Sequence, residues 1–206
     1  MSDQLTWAIG LGAVLASQNN TPYNQLLSEE NDNDLTGTKQ SLKRDWGIES
    51  GDDYFETYQW LIDSGHTDSY WQYCHRLRTM TDTRARAFIS RFDANDQAKF
   101  ELVLNYRHRL AQGGIKAWDI GRASWLTQCA HRCGWISSEV ATQQHLKLAS
   151  LAKPLYRSWQ EYATAYVAGR QFWRADTSEG FVDECTAYIR RAFASPQCAW
   201  HSMAWV

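Results

Sequence analysis

The segment Ile115–Cys133, IKAWDIGRASWLTQCAHRC, decides the fold class. Trp118, Arg122, Trp125, Cys129 and Cys133 follow one another at offsets of 4, 3, 4 and 4, so on a helical period they share one face. The same spacing recurs outward in both directions. Towards the N-terminus it carries Leu5, Ala8, Leu11, Val14 and Leu15, then Tyr54, Tyr58, Leu61 and Ile62, then Phe100, Val103, Leu104 and Leu110. Towards the C-terminus it carries Leu155, Trp159, Tyr162, Tyr166 and Trp173, then Phe181, Cys185, Ile189 and Phe193. No segment shows the sustained period-two alternation of a half-buried strand. The expected fold is therefore all-α, a compact single-domain bundle of about eight to ten helices.

Helix boundaries are written in the punctuation. Gly47, Gly65, Gly113-Gly114 and Gly134 stand where helices should stop, Ser50 or Asp52 and then Asp93 where they should start, and Pro154 and Pro196 beyond two ends. The first helix should finish near Asn19, Asn20 and Thr21-Pro22, with a short helix around Tyr23 to Leu27. The run Ser28–Thr38 (SEENDNDLTGT) has one apolar residue, too little to offset its ordering entropy, and reads as a mobile loop. The expected organisation is an N-terminal helix and acidic loop, residues 1–38, docked on a helical core of residues 39–206.

Composition excludes several classes. With 44% hydrophobic and 14% aromatic residues, eleven of them Trp, the 206-residue chain is neither disordered nor fibrous. A net charge of −2 argues against a dedicated nucleic-acid binder. Arg84, Arg86, Arg91, Arg107, Arg109 and Lys116 are spread over several helices and read as solvated faces. Charge is uneven, however: residues 1–64 hold 3 basic and 11 acidic side chains. Five cysteines without regular spacing read as free thiols of a reducing compartment, so the expected location is cytoplasmic. The apolar run Leu5–Ala16 is shorter than the ~20 residues of a membrane span. Asp3 precedes it and no Lys or Arg does, so it lacks the basic start of a secretory leader.

Chemistry concentrates on a few side chains. Arg122 sits inside an aromatic stripe, where an unpaired charge is costly, so it needs a partner. Asp119, three residues earlier, is the nearest candidate, and a structural ion pair orienting two helices is the favoured reading. The alternative is an arginine that recognises an anion in a pocket. Gly121 marks a close helix approach. His66, after the helix-stopping Gly65, is placed to bond the last carbonyls of the preceding helix, or alternatively to act as an acid or base at a cleft rim. Arg170 lies among Tyr166 and Trp173, and in a further arrangement converges with Arg122 on one anion beside Asp119 and His66. Cys129, Cys133 and His131 do not make a zinc site, because a helical thiol pair supplies only two ligands. No cofactor-binding fingerprint occurs, and no cofactor is expected.

In chain order, Trp46-Gly47-Ile48, Trp60-Leu61 with Gly65-His66, Ala117-Trp118-Asp119-Ile120-Gly121-Arg122, Gly134-Trp135-Ile136-Ser137, Ser158-Trp159, and Gly169-Arg170 with Phe172-Trp173 resemble the bacterial domain-of-unknown-function family 1266. The resemblance implies a mostly helical bacterial domain and supplies no catalytic residue. Two functional expectations follow. The first is a non-enzymatic accessory, adaptor or immunity-type protein that binds another protein, with Trp200 and Trp205 as candidate interface residues. The second is an enzyme or small-molecule binder whose phosphate or carboxylate site is built from Arg122, Arg170, His66 and Asp119.

Overall fold

The computed structural model describes residues 2–28 and 35–205, and every regular element among them is helical. The order is α1 (Asp3–Ile9), a 3-10 turn (Gly10–Gly12), α2 (Ala13–Gln18), α3 (Leu35–Trp46), α4 (Gly51–Asp63), α5 (Thr67–Leu77), α6 (Asp82–Ile89) and α7 (Ala94–Tyr106). There follow α8 (Lys116–Arg132), α9 (Ser138–Ala152), α10 (Trp159–Arg174), α11 (Glu179–Ala194) and α12 (Ala199–Ser202). The twelve α-helices among the described residues come to ten, within the expected eight to ten, on two counts. The 3-10 turn splits the first helix in two, and α12 is only four residues long.

The expected punctuation is visible in the backbone. Ser50, Asp93, Ser137 and Ser158 each accept a hydrogen bond from the backbone N–H three residues on, capping α4, α7, α9 and α10. Gly47, Gly65 and Gly134 take positive φ angles of 68°, 58° and 71° where α3, α4 and α8 end.

Three local expectations are corrected. Tyr23–Leu27 is not helical: Gln128 accepts from the Leu27 N–H and donates to the Gln25 carbonyl, and His131 bonds the Leu27 carbonyl. Side chains of α8 thus take the backbone groups that a helix would have paired. Helix α7 stops at Tyr106, short of Leu110, where Arg107 reaches back to the Leu77 and Met80 carbonyls and to Asp82. Of the loop expected over Ser28–Thr38, residues 29–34 lie outside the described residues, whereas Leu35–Thr38 form the first turn of α3.

Helix α8 is the axis of the bundle and packs on α4, α9, α10 and the 3-10 turn. Thirteen of its residues are buried, which is why polar Asp119, Ser124, Thr127 and Gln128 all need internal partners. Helices α1 and α2 and the 3-10 turn between them contribute Trp7, Ala8, Leu11 and Val14 to the same apolar cluster as α8, with α1 packed on α9 and α2 on α11. A second cluster, with Tyr70, Leu77, Ile89, Phe100, Val103 and Phe172, joins α5, α6 and α7 to α10.

The α8–α10 crossing rests on two glycines that seat each other's aromatic neighbours. A Cβ on Gly121 would lie 2.6 Å from the Tyr166 ring, and one on Gly169 would overlap the Cβ of Trp118. Gly169→Ala should therefore destabilise the fold by about 2 kcal/mol despite alanine's better helix propensity, because overpacking outweighs the propensity gain. Urea denaturation measures it, and a variant as stable as wild type would show that the crossing relaxes freely.

Candidate functional site

The end of α3, the middle of α4, the α4–α5 turn and the first half of α8 converge on Arg122. The neighbouring Asp119 is fully buried and sits on α8 opposite the start of α5. Its carboxylate accepts from the His66 N–H (3.0 Å), the Thr67 N–H (3.1 Å) and the Thr67 hydroxyl (2.7 Å). It therefore caps a helix to which it does not belong. Gly65 makes room: it is left-handed, and a Cβ there would run into the Asp119 carboxyl group. Burial works against the charge of Asp119, but the contacts from His66 and Thr67 and the nearby Lys116 outweigh it, holding the carboxyl below its ordinary pKa. Lys116 itself donates to the Leu61 carbonyl at 3.0 Å. Burial lowers its pKa, against the pull of Asp119, Asp68 and Asp63.

Because Asp119 is committed to α5, it does not form the ion pair expected with Arg122. Among the described residues no carboxylate lies within ion-pair distance of that guanidinium, although Arg122 is only 6% exposed. Its immediate neighbours are rings. The guanidinium carbon lies 4.7 Å from the centre of Trp46, 4.9 Å from Trp118 and 5.9 Å from Trp60, distances at which cation–π attraction operates. Its Nε has no hydrogen-bond partner, and its Nη2 is 3.4 Å from Nδ1 of His66. Burial pulls the Arg122 pKa down to about 10 in spite of the Asp119 charge. At neutral pH the folded state therefore bears the cost of a desolvated cation.

The His66 ring does not bond the carbonyls ending α4. The N–H groups of Ser64 and Gly65 both go to the Trp60 carbonyl, and the His66 ring stands between Arg122 and Asp119, whose Oδ1 is 3.5 Å from Nδ1. It also makes an edge contact with Trp60, ring centres 5.3 Å apart.

A cavity of about 520 Å³ opens over this group, lined by Arg44, Asp45, Trp46, Gly47, Glu56, Thr57, Trp60, His66 and Arg122. That size falls in the range of roughly 300–1,000 Å³ typical of small-molecule sites. A guanidinium on the wall of such a cavity, shielded by indoles, can take a carboxylate or phosphate in a bidentate grip strengthened by the low local dielectric.

The other expected site residues lie elsewhere. Arg170 does not converge with Arg122. It stacks on Phe181 with 3.8 Å from guanidinium to ring centre, donates to the Phe181 carbonyl and pairs with Glu184, all on α11. Trp200 is 4% exposed and donates its indole N–H to the Gly10 carbonyl, so it is a core residue, a correction to its reading as an interface residue. Trp205 is partly buried against Trp7 and Trp159, ring centres 4.8 and 4.7 Å away. Cys129 and Cys133 are buried, and burial pushes the Cys129 thiol pKa up. Arg86 and Arg107 of the dispersed basic set pair with Glu101 and Asp82.

Sequence reasoning missed Trp46, Trp60, Glu56 and Thr67. Thr67 carried a signal, since a threonine just after a helix-stopping glycine is a helix-start residue. Trp46 and Trp60 stand in motifs of the family resemblance, but helical spacing relates neither of them to Arg122, so nothing in the sequence placed them in its site.

Among the described residues no helix is long and apolar enough to cross a membrane. No solved structure gives a significant match to this chain. It is 28% identical over 134 residues to the uncharacterized protein YbeR of Escherichia coli K12, a stretch covering 65% of this chain and 57% of that relative. It is 26% identical over 145 residues to the uncharacterized protein YbeU of the same organism, covering 70% and 62%. The chain thus spans about three-fifths of the length of these relatives. Residues 41–205, which contain α4, α8 and the whole Arg122 cavity, match the family described as "Protein of unknown function (DUF1266)". The chain belongs to the DUF1266 family.

Proposed function

We propose that this chain is a receptor for an anionic group, a carboxylate or phosphate, held by Arg122 in the cavity walled by Trp46 and Trp60. One observation carries the reading: an arginine more than nine-tenths buried borders an open cavity, and among the described residues no acid pairs with it. A cation so placed lowers stability unless its site is completed from outside, and stability given up at one residue is characteristic of binding sites. This reading takes precedence over a protein-docking role for Trp200 and Trp205, whose rings pack against Trp159. The contribution of His66 is to fix the guanidinium in the plane from which it presents its free edge.

The test is Arg122→Met, which keeps the apolar length of the side chain between the indoles. The variant should be at least as stable as wild type, since it removes a desolvated charge. Inorganic phosphate or a simple carboxylate should raise the Tm of wild type and leave the variant unmoved. At a hundred times Kd the expected gain is about 2.7 kcal/mol, or roughly 5–10 °C for a chain of this size. A variant that loses several kcal/mol, with no anion-dependent shift in wild type, would make Arg122 structural.

A further inference from the structure

The charges around the cavity narrow the anion to one kind. Four full charges line it: Arg44, Asp45, Glu56 and Arg122. Arg44 and Asp45 neutralise each other through two hydrogen bonds of 2.7 Å and are exposed to solvent. That leaves one cation, Arg122, and one carboxylate, Glu56, which makes no hydrogen bond or ion pair among the described residues. Glu56 lies one turn before Trp60 on α4, so both point to the same side of that helix. Trp60 is 44% exposed, unusual for its size, and turns that surface to the cavity.

A phosphate dianion matches this lining poorly. It would meet a single guanidinium and face Glu56 in front, with the carboxylate of Asp119 close behind the arginine. The donors at the start of α5, which would otherwise serve a phosphate, already belong to Asp119. A singly charged carboxylate is balanced by Arg122 alone, and a positive group on the same ligand would complete Glu56 and gain from the face of Trp60.

Resting on the anion-receptor reading, we infer that the ligand is a zwitterion of the amino-acid class. Its carboxylate sits on Arg122, its ammonium turns to Glu56, and its apolar side chain lies along Trp60 and Trp46. The like-charged alternatives are discriminated against by the acid at the rim, so Glu56 sets specificity while Arg122 sets affinity.

The experiment is a calorimetric titration of the full chain with four probes: L-phenylalanine, N-acetyl-L-phenylalanine, L-phenylalaninamide and inorganic phosphate. L-Phenylalanine should bind about tenfold more tightly than either blocked derivative, because each lacks one of the two paired charges. Glu56→Gln, a change at an exposed position, should bring L-phenylalanine and its N-acetyl derivative to similar affinity, weakening the first by loss of its ammonium partner and strengthening the second by loss of the repelling charge. Equal binding of L-phenylalanine and N-acetyl-L-phenylalanine, or a Glu56→Gln variant that keeps the preference, overturns the zwitterion. Phosphate binding more tightly than L-phenylalanine, lost in Arg122→Met, overturns it too but leaves the anion receptor standing. No Arg122-dependent binding of any probe overturns both.

Discussion

Replacing Asp119 with alanine is expected to lower stability by about 4 kcal/mol, among the largest effects of any single substitution in this chain. Three donors converge on a carboxylate with no exposure to solvent, and alanine leaves the N–H groups of His66 and Thr67 and the Thr67 hydroxyl without partners. Lys116 and Arg122 lose their nearest negative charge at the same time. Thermal melting should show a drop of roughly 8–15 °C. Asp119→Asn should fall between wild type and the alanine variant, since an amide keeps one acceptor and turns a donor towards a donor. The folded pKa of Asp119 is depressed, so its contribution is complete above the ordinary carboxylate value and is lost only as pH falls through the lower folded value. An alanine variant within about 1 kcal/mol of wild type would mean that water replaces the carboxylate at the start of α5.

The second large effect is acid destabilisation through His145. This residue on α9 is fully buried, its Nδ1 lies 3.3 Å from the Ser124 hydroxyl, and its Nε2 has no partner. Burial, with a smaller contribution from His131, lowers its pKa from 6.5 to about 3. Between those two values the unfolded chain binds a proton that the folded chain refuses, so stability rises with pH across the window and falls on acidification from 6.5 downwards. The loss approaches about 1.4 kcal/mol per pH unit and accumulates to roughly 4 kcal/mol near the lower end. Urea denaturation followed by far-UV circular dichroism over this range measures the slope. His145→Gln, uncharged throughout, should flatten it by close to one proton. An unchanged slope would assign the acid sensitivity to other groups.

Much of the helical scaffold was legible because it is local. Gly47, Gly65 and Gly134 end helices for reasons contained within a few residues, as do the serine and aspartate caps. The site was legible only in part. The sequence placed Asp119 within reach of Arg122 on one helix, but which partner Asp119 takes depends on His66 and Thr67, more than fifty positions away, and no spacing rule reaches that far. Once three donors claim the carboxylate, the arginine is left to the indoles. Arg170 misleads in the same way: its local rings are Tyr166 and Trp173, yet its partners come from the following helix. Trp200 reads as a candidate interface residue, whereas the chain returns there to the 3-10 turn that follows the first helix. Tyr23–Leu27 lost its helix to Gln128 and His131, a tertiary competition for backbone groups.

That return of the last residues to the first has a kinetic consequence. The indole of Trp7 donates to the Ala204 carbonyl, and Trp200 donates to Gly10, contacts 197 and 190 positions apart. Helix α1, made before the helices that follow it, cannot be locked until the stretch around Trp200 has emerged. With contact order this high at one seam, completion of folding waits for nearly the whole of this sequence to be synthesised.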